Sequence, residues 1–146
     1  EGYKYYFFGS KPGVAELAAE KMRETYPGIQ IVGTRDGYFK PEDEEAIIKD
    51  INESGANILL VALGAPKQET WIEEHASLLP NVRVAVGVGG SLDGMAGIVK
   101  RAPIAFQKLG LEWFYRLMKQ PSRFVRMLVL PKFLIEVLLY KGKGKN

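Results

Sequence analysis

Nine residues, ANILLVALG (56–64), hold no charge and a single polar side chain, Asn57. A strand with one wet face alternates apolar and polar residues. This run does not, so it reads as a strand buried on both faces, as in a parallel sheet covered by helices. Parallel neighbours need a crossover connection, usually a helix. The flanks supply both. Before the run, YKYYFF (3–8) reads as an aromatic-rich strand, GSKPG as a turn and VAELAAEKMRETY (14–26) as an amphipathic helix. Val14, Leu17, Ala18 and Met22 share one face of that helix. IQIVGT is the next strand, and RDGYFKPED a loop with Pro41 at a first helical position. EEAIIKDINESG is a helix closed by Gly55. After the run come a helix, PKQETWIEEHASLL, and a fourth strand, VRVAVGVGG. The order predicts an α/β fold: a Rossmann-like parallel sheet with flanking helices, joined by right-handed crossovers. Beyond Gly90 no strong strand follows. APIAFQKLG, LEWFYRLMKQ and SRFVRMLVLPKFLIEVLLYKG all read as helical, with Pro121 parting the last two.

Composition narrows the chemistry. The chain of 146 residues is long enough for one domain with a real core. It has no Cys and one His, which excludes disulfides, thiolate catalysis and a His-rich metal site. No signal peptide is visible, and no run of about 18 uncharged apolar residues predicts a spanning helix. A cytosolic or membrane-surface protein is expected. The net charge of +3 hides a split. Residues 1–98 carry 9 Lys/Arg against 15 Asp/Glu, and residues 99–146 carry 11 against 2. The two parts therefore differ in sign, −6 and +9. We divide the chain there, into a Rossmann-like core (1–98) and a basic helical appendage (99–146). A tail of that sign seeks an anionic partner: nucleic acid, phospholipid headgroups or a phosphorylated ligand.

In open α/β sheets, ligands bind beyond the carboxyl ends of the strands. Those ends read FFGSKPG, VGTRDGYF, ALGAPKQE and GVGGSLDG. Each carries Gly, which lets backbone N–H groups approach a phosphate. Neither a Walker pattern nor a full G-x-G-x-x-G stands where it should. Gly9, Gly37, Tyr38, Gly64, Gln68, Gly89, Gly90 and Asp93 are the candidates for holding a nucleotide or sugar phosphate. Against this stands the plainer reading, in which the glycines only make tight turns and Asp93 caps a loop. Gln68 has the donors and acceptor to hold a sugar hydroxyl, and Glu69 reads as a helix cap. His75 reads as a surface side chain, Trp71 and Trp113 as core, and PEDEE as a helix start favoured by the dipole.

The tail has two layers. Arg116, Lys119, Arg123 and Arg126 recur at helical spacings on either side of Pro121, and Arg forks suit phosphate oxygens. Beyond them Leu130, Phe133, Leu134, Val137 and Leu138 form an apolar stripe, opposite Lys132 and Glu136. Lys141, Lys143 and Lys145 follow. This is the pattern of an interfacial helix. The competing reading packs the stripe on the domain's own core.

YYFFGSKPGVAELAAEKMRETYPGIQIVGTRDGYF, ANILLVALGAPKQETWI, VAVGVGGSLDGMAGIVKRAP and LGLEWFYRLMKQPSRFVRM, in that order, resemble the WecG/TagA/CpsF glycosyltransferases, family 26. The resemblance runs to about Pro131. It implies an inverting transfer of N-acetylmannosamine from its UDP donor to N-acetylglucosamine on undecaprenyl diphosphate, in teichoic acid or other surface-glycan synthesis. It implies no metal or other cofactor, a peripheral place on the cytoplasmic face of the bacterial membrane, and room for a homo-oligomer. The glycine-rich edge holds UDP on this reading, with Gln68, in a supporting catalytic role, and Asp93 in the pocket. Arg116, Arg123 and Arg126 match the basic positions assigned to the acceptor diphosphate. Family members are longer at the N-terminus, and that segment carries the Asp proposed as general base. Asp36 belongs to a different loop and does not replace it. The chain alone is therefore expected to be inactive or nearly so, with an exposed sheet edge. The alternatives are a noncatalytic nucleotide-binding or membrane-docking scaffold, and a nucleic-acid module. No RNA-binding signature or helix-turn-helix pattern supports the last, so no nucleic-acid partner is expected.

Overall fold

The apolar run forms an inner strand, as its composition predicts. The structure, a computed structural model, describes residues 2–99, 103–111, 115, 136 and 137. It divides into two compact units, Glu1–Lys100 and Arg101–Asn146, and each is taken by itself. In the first, β1 (Lys4–Gly9), α1 (Val14–Thr25), β2 (Gln30–Arg35), α2 (Glu44–Ser54), β3 (Ile58–Ala62), α3 (Lys67–His75), β4 (Val84–Gly87) and α4 (Ser91–Met95) follow in order. The four strands make one sheet in the order β2-β1-β3-β4. Every pairing is parallel. Among the described residues β1 and β3 are the inner strands, which is where fully apolar sequence belongs.

The pleat sorts the aromatic strand. Tyr6 and Phe8 face one layer, with Ile47 and Ile51 of α2, Trp71 of α3, and Leu59 and Val61 of β3. Phe7 faces the other layer, with Val14, Ala15, Ala18 and Ala19 of α1 and Leu92 and Ala96 at α4. Each buried Phe, Leu or Ile contributes about 1.5–3 kcal/mol relative to exposure. The α1 contact face is made of smaller residues than the expected Val14–Leu17–Ala18–Met22 stripe. Ala15 and Ala19 are buried, while Leu17 and Met22 are only half-buried at its rim. Small side chains bring the helix backbone close to the sheet.

Helix ends follow local chemistry. Pro41 opens a short 3-10 turn, Pro41–Asp43, that leads into α2. The Asp43 carboxylate accepts from the Lys40 N–H at 2.9 Å. Gly55 closes α2 at φ 68°, a left-handed conformation that only Gly takes cheaply. Tyr6 Oη donates to Asp50 of α2 across this layer. Burial and that hydrogen bond hold the Tyr6 phenol well above its usual pKa.

One expectation is corrected, and one segment the sequence left unassigned takes shape. SLDGM is the short helix α4; Leu92 and Ala96 are buried there, so the segment has an apolar face too short to show as a period. His75 is not a surface side chain. Its ring stacks on Trp71 with centroids 4.6 Å apart, and its side chain is 11% exposed. Its acidic neighbours in sequence point elsewhere because α3 turns its Trp71–His75 edge, one helical turn apart, toward α2.

In the second unit α5 spans Ile104–Lys108, and Tyr115, Glu136 and Val137 are helical. Trp113, Arg116, Lys119, Arg123, Arg126 and the rest of the predicted stripe and lysine end lie outside the described residues. No helix among the described residues is long and apolar enough to cross a membrane.

Candidate functional site at the carboxyl edge of the sheet

β1 ends where it touches β3 most closely. At Gly9, φ 122°, a Cβ would sit 2.5 Å from the carbonyl carbon and oxygen of Ala62. Only glycine fits. Ser10 follows with φ 65°, a strained conformation for a residue with a side chain. Its backbone is fully used. The Ser10 N–H donates to the Ala62 carbonyl at 2.8 Å, and its carbonyl accepts from the Gly37 N–H at 2.9 Å. One residue thus ties the ends of β1, β2 and β3. Its hydroxyl reaches a fourth element: Ser10 Oγ donates to Asp93 Oδ2 of α4 at 3.3 Å. Gly37 is tight but less constrained, since a Cβ there would lie 3.1 Å from the Gly9 Cα and 2.9 Å from the end of the Leu63 side chain.

The turns after β3 and β4 are joined by Gln68. Gly64, φ 80°, turns the chain, the Ala65–Pro66 peptide is cis, and α3 begins at Lys67. The Gln68 N–H bonds the Gly64 carbonyl at 3.0 Å. The Gln68 side chain is buried, at 6% exposure. Its Oε1 accepts from the Gly89 N–H at 3.0 Å. Its Nε2 donates to Glu69 Oε1 at 2.8 Å. A Cβ on Gly87 would come within 2.6 Å of that Nε2. Glu69 makes no side-chain cap on α3; the predicted capping role gives way to a bond with Gln68.

The β2 turn adds an aromatic and a cation. Asp36 accepts from the Tyr38 N–H at 2.8 Å, an Asx turn. It leaves Tyr38 70% exposed. The next residue, Phe39, packs on Phe8 with centroids 5.4 Å apart. The Lys67 ammonium stands 4.5 Å from the Phe39 ring centre, a cation–π geometry. Phe39, the residue after Tyr38, thus meets both the core and the start of α3.

Of the residues the sequence proposed, Gly9, Gly37, Gly64, Gln68, Gly89 and Asp93 belong to one connected cluster spanning all four strand ends. Gly90 caps α4 beside Gly89. Tyr38 borders the cluster through Gly37. Arg116, Arg123 and Arg126 lie outside the described residues. Sequence reasoning missed Ser10 and Gly87. Ser10 had a signal, as the polar residue directly after the glycine that closes an aromatic strand. Gly87 had none, because the side chain that excludes its Cβ comes from 19 positions earlier. Among the described residues no three carboxylates or histidines gather as a metal site.

Chemically, this edge offers tight glycine-bearing turns, the carboxylates of Asp36, Glu69 and Asp93, the clamped Gln68 amide and the Lys67 ammonium. An ionised carboxylate accepts from hydroxyls and ring N–H groups, and the ammonium favours anions. Such a set suits a polar, phosphorylated ligand. The family described as Glycosyl transferase WecG/TagA/CpsF family matches residues 1–146, the whole chain.

Proposed function

The chain belongs to the WecG/TagA/CpsF glycosyl transferase family, and from that premise we propose how its two parts divide the transfer of a sugar. The family's work is surface-glycan synthesis, with a sugar donor and a lipid-linked acceptor. We assign the donor to residues 1–98 and the acceptor to residues 99–146. The donor is UDP-N-acetylmannosamine. The acceptor is N-acetylglucosamine on undecaprenyl diphosphate, as in teichoic acid and related surface polymers.

One observation carries the donor half. Four βα turns are cross-tied at the carboxyl edge of the sheet, with Gln68 and Asp93 built into the ties. We give the diphosphate to the open side of these glycine-bearing turns beside the Lys67 ammonium; Asp93 accepts from ribose or base, and exposed Tyr38 offers a stacking face. The acceptor half rests on charge. Net −6 over residues 1–98 and +9 over residues 99–146 support giving the lipid diphosphate and anionic headgroups to the second part. Arg116, Arg123 and Arg126 carry forks suited to the diphosphate. We assign no general base within the 146 residues. An inverting transfer needs one to take the acceptor hydroxyl's proton, so the chain alone binds UDP but turns over little. We place the working enzyme on the cytoplasmic membrane surface.

The experiment separates the two ends in the full-length enzyme. Asp93→Ala weakens UDP binding by calorimetry about tenfold, the size of one lost charge-assisted bond. Arg123→Ala with Arg126→Ala leaves UDP affinity within about twofold and lowers turnover on the diphospholipid acceptor by about a hundredfold. Equal losses of UDP affinity in both variants refute the division.

A further inference from the structure

We infer that Glu69 is a positioning residue for the donor site, acting only through Gln68. The inference rests on the placement of Gln68 in that site and goes beyond it. Three contacts fix the Gln68 amide. The Gly89 N–H donates to Oε1 at 3.0 Å, Glu69 Oε1 accepts from Nε2 at 2.8 Å, and Gly87 leaves the space that a Cβ would take from Nε2. The first two agree on one orientation. A flipped amide would set NH2 against N–H and a carbonyl against a carboxylate, which repels at both ends.

The contact with Glu69 is not a by-product of helix geometry. Side chains at i and i+1 diverge on a helix, and a Glu in the first turn of a helix ordinarily turns back toward the cap. Here the N-cap is Pro66 and no side-chain cap forms. Glu69 is exposed while Gln68 is buried. A charge-assisted bond therefore links a solvent-facing carboxylate to a buried amide. Once that bond and the Gly89 bond are made, the amide keeps one N–H and one lone pair, in a single orientation, for a ligand. Without Glu69 the Oε1–Gly89 bond alone restrains it, and χ3 rotation is broad.

The test uses calorimetric affinity for UDP and for UDP-N-acetylmannosamine, with the side-chain amide NMR signals of glutamine-labelled protein as a ligand-free readout. Gln68→Ala weakens nucleotide-sugar binding about tenfold. Glu69→Ala gives a loss of the same size and shifts the Gln68 amide signals. Glu69→Gln, which keeps an acceptor oxygen, restores affinity to within about threefold. The double variant is no worse than either single one, because both remove the same restraint. Thermal midpoints of the Glu69 variants stay near that of the parent, as expected for an exposed side chain. Should Gln68→Ala bind like the parent, the donor-site reading itself fails. If Gln68→Ala is weak but Glu69→Ala binds normally, or if the two losses add, Glu69 does not work through Gln68 and the inference is overturned.

Discussion

At the scale of single residues, the glycines of this chain are not alike. Gly9 faces backbone: its missing Cβ would meet Ala62 at 2.5 Å, at φ 122°. Nothing there can yield, so Gly9→Ala costs on the order of 3–5 kcal/mol, read as a lowered urea midpoint. Gly87 faces the Gln68 amide at 2.6 Å instead, and its φ is ordinary. Gly87→Ala displaces a side chain. Stability falls by about 1 kcal/mol while nucleotide affinity falls about tenfold. A larger loss of stability with unchanged affinity contradicts the role given to Gln68. The sequence placed both glycines near strand ends, but it could not separate them, because each is defined by an atom far along the chain. Tyr6 offers a third residue-level test. Its phenol is raised above the ordinary value by burial and by Asp50. Folding therefore favours the protonated form. That contribution is complete below about pH 10, the unfolded value, and shrinks as pH rises above it, by about 1.4 kcal/mol per unit. Tyr6→Phe removes this component, so the alkaline slopes of parent and variant differ in urea titrations.

At the scale of elements, α3 is held by its aromatic edge. Trp71 packs on Phe8 with centroids 4.8 Å apart, and His75 stacks on Trp71 and donates from Nδ1 to the Trp71 carbonyl, 2.8 Å away. His75 Nε2 lies 3.6 Å from Glu44 of α2. The edge that locks α3 to α2 lies one turn beyond Gln68, so packing there positions the site. Trp71→Ala leaves a large void and lowers stability by about 3–5 kcal/mol; Trp71→Phe loses less than half of that, and chemical denaturation separates the two. The apolar strands, the crossover helices and the glycine-bearing turns were legible because each has a strong local signature. Trp71 was legible as core for the same reason. His75 and α4 were not. A lone His among glutamates looks solvated until α2 is known to lie beside it, and five residues are too few to display a helical period. Glu69 misled in the opposite sense: it carries the sign and position of a helix cap, and its partner is instead its neighbour.

At the scale of the whole molecule, the sign of charge changes once along the chain, from −6 over residues 1–98 to +9 over residues 99–146. A family that acts on a lipid-linked acceptor needs only weak attachment to the surface where that lipid resides. Each Lys near an anionic surface contributes about 1 kcal/mol. Lys141, Lys143 and Lys145 together would supply about 3 kcal/mol, roughly a hundredfold in partitioning at low salt. Screening shortens the reach of that attraction from about 10 Å at 0.1 M salt to about 3 Å at 1 M. Apolar residues such as Leu130, Leu134 and Leu138 respond little to salt, so any attachment they provide persists. Co-sedimentation with vesicles containing phosphatidylglycerol distinguishes the two contributions. Binding falls by about a hundredfold between low and high salt, falls similarly when the three lysines become glutamine, and is lost on removal of residues 122–146. Neutral vesicles recover only the salt-insensitive remainder. An intact chain that ignores anionic vesicles at low salt leaves the basic tail without its proposed surface. Salt-independent binding assigns attachment to the apolar residues alone.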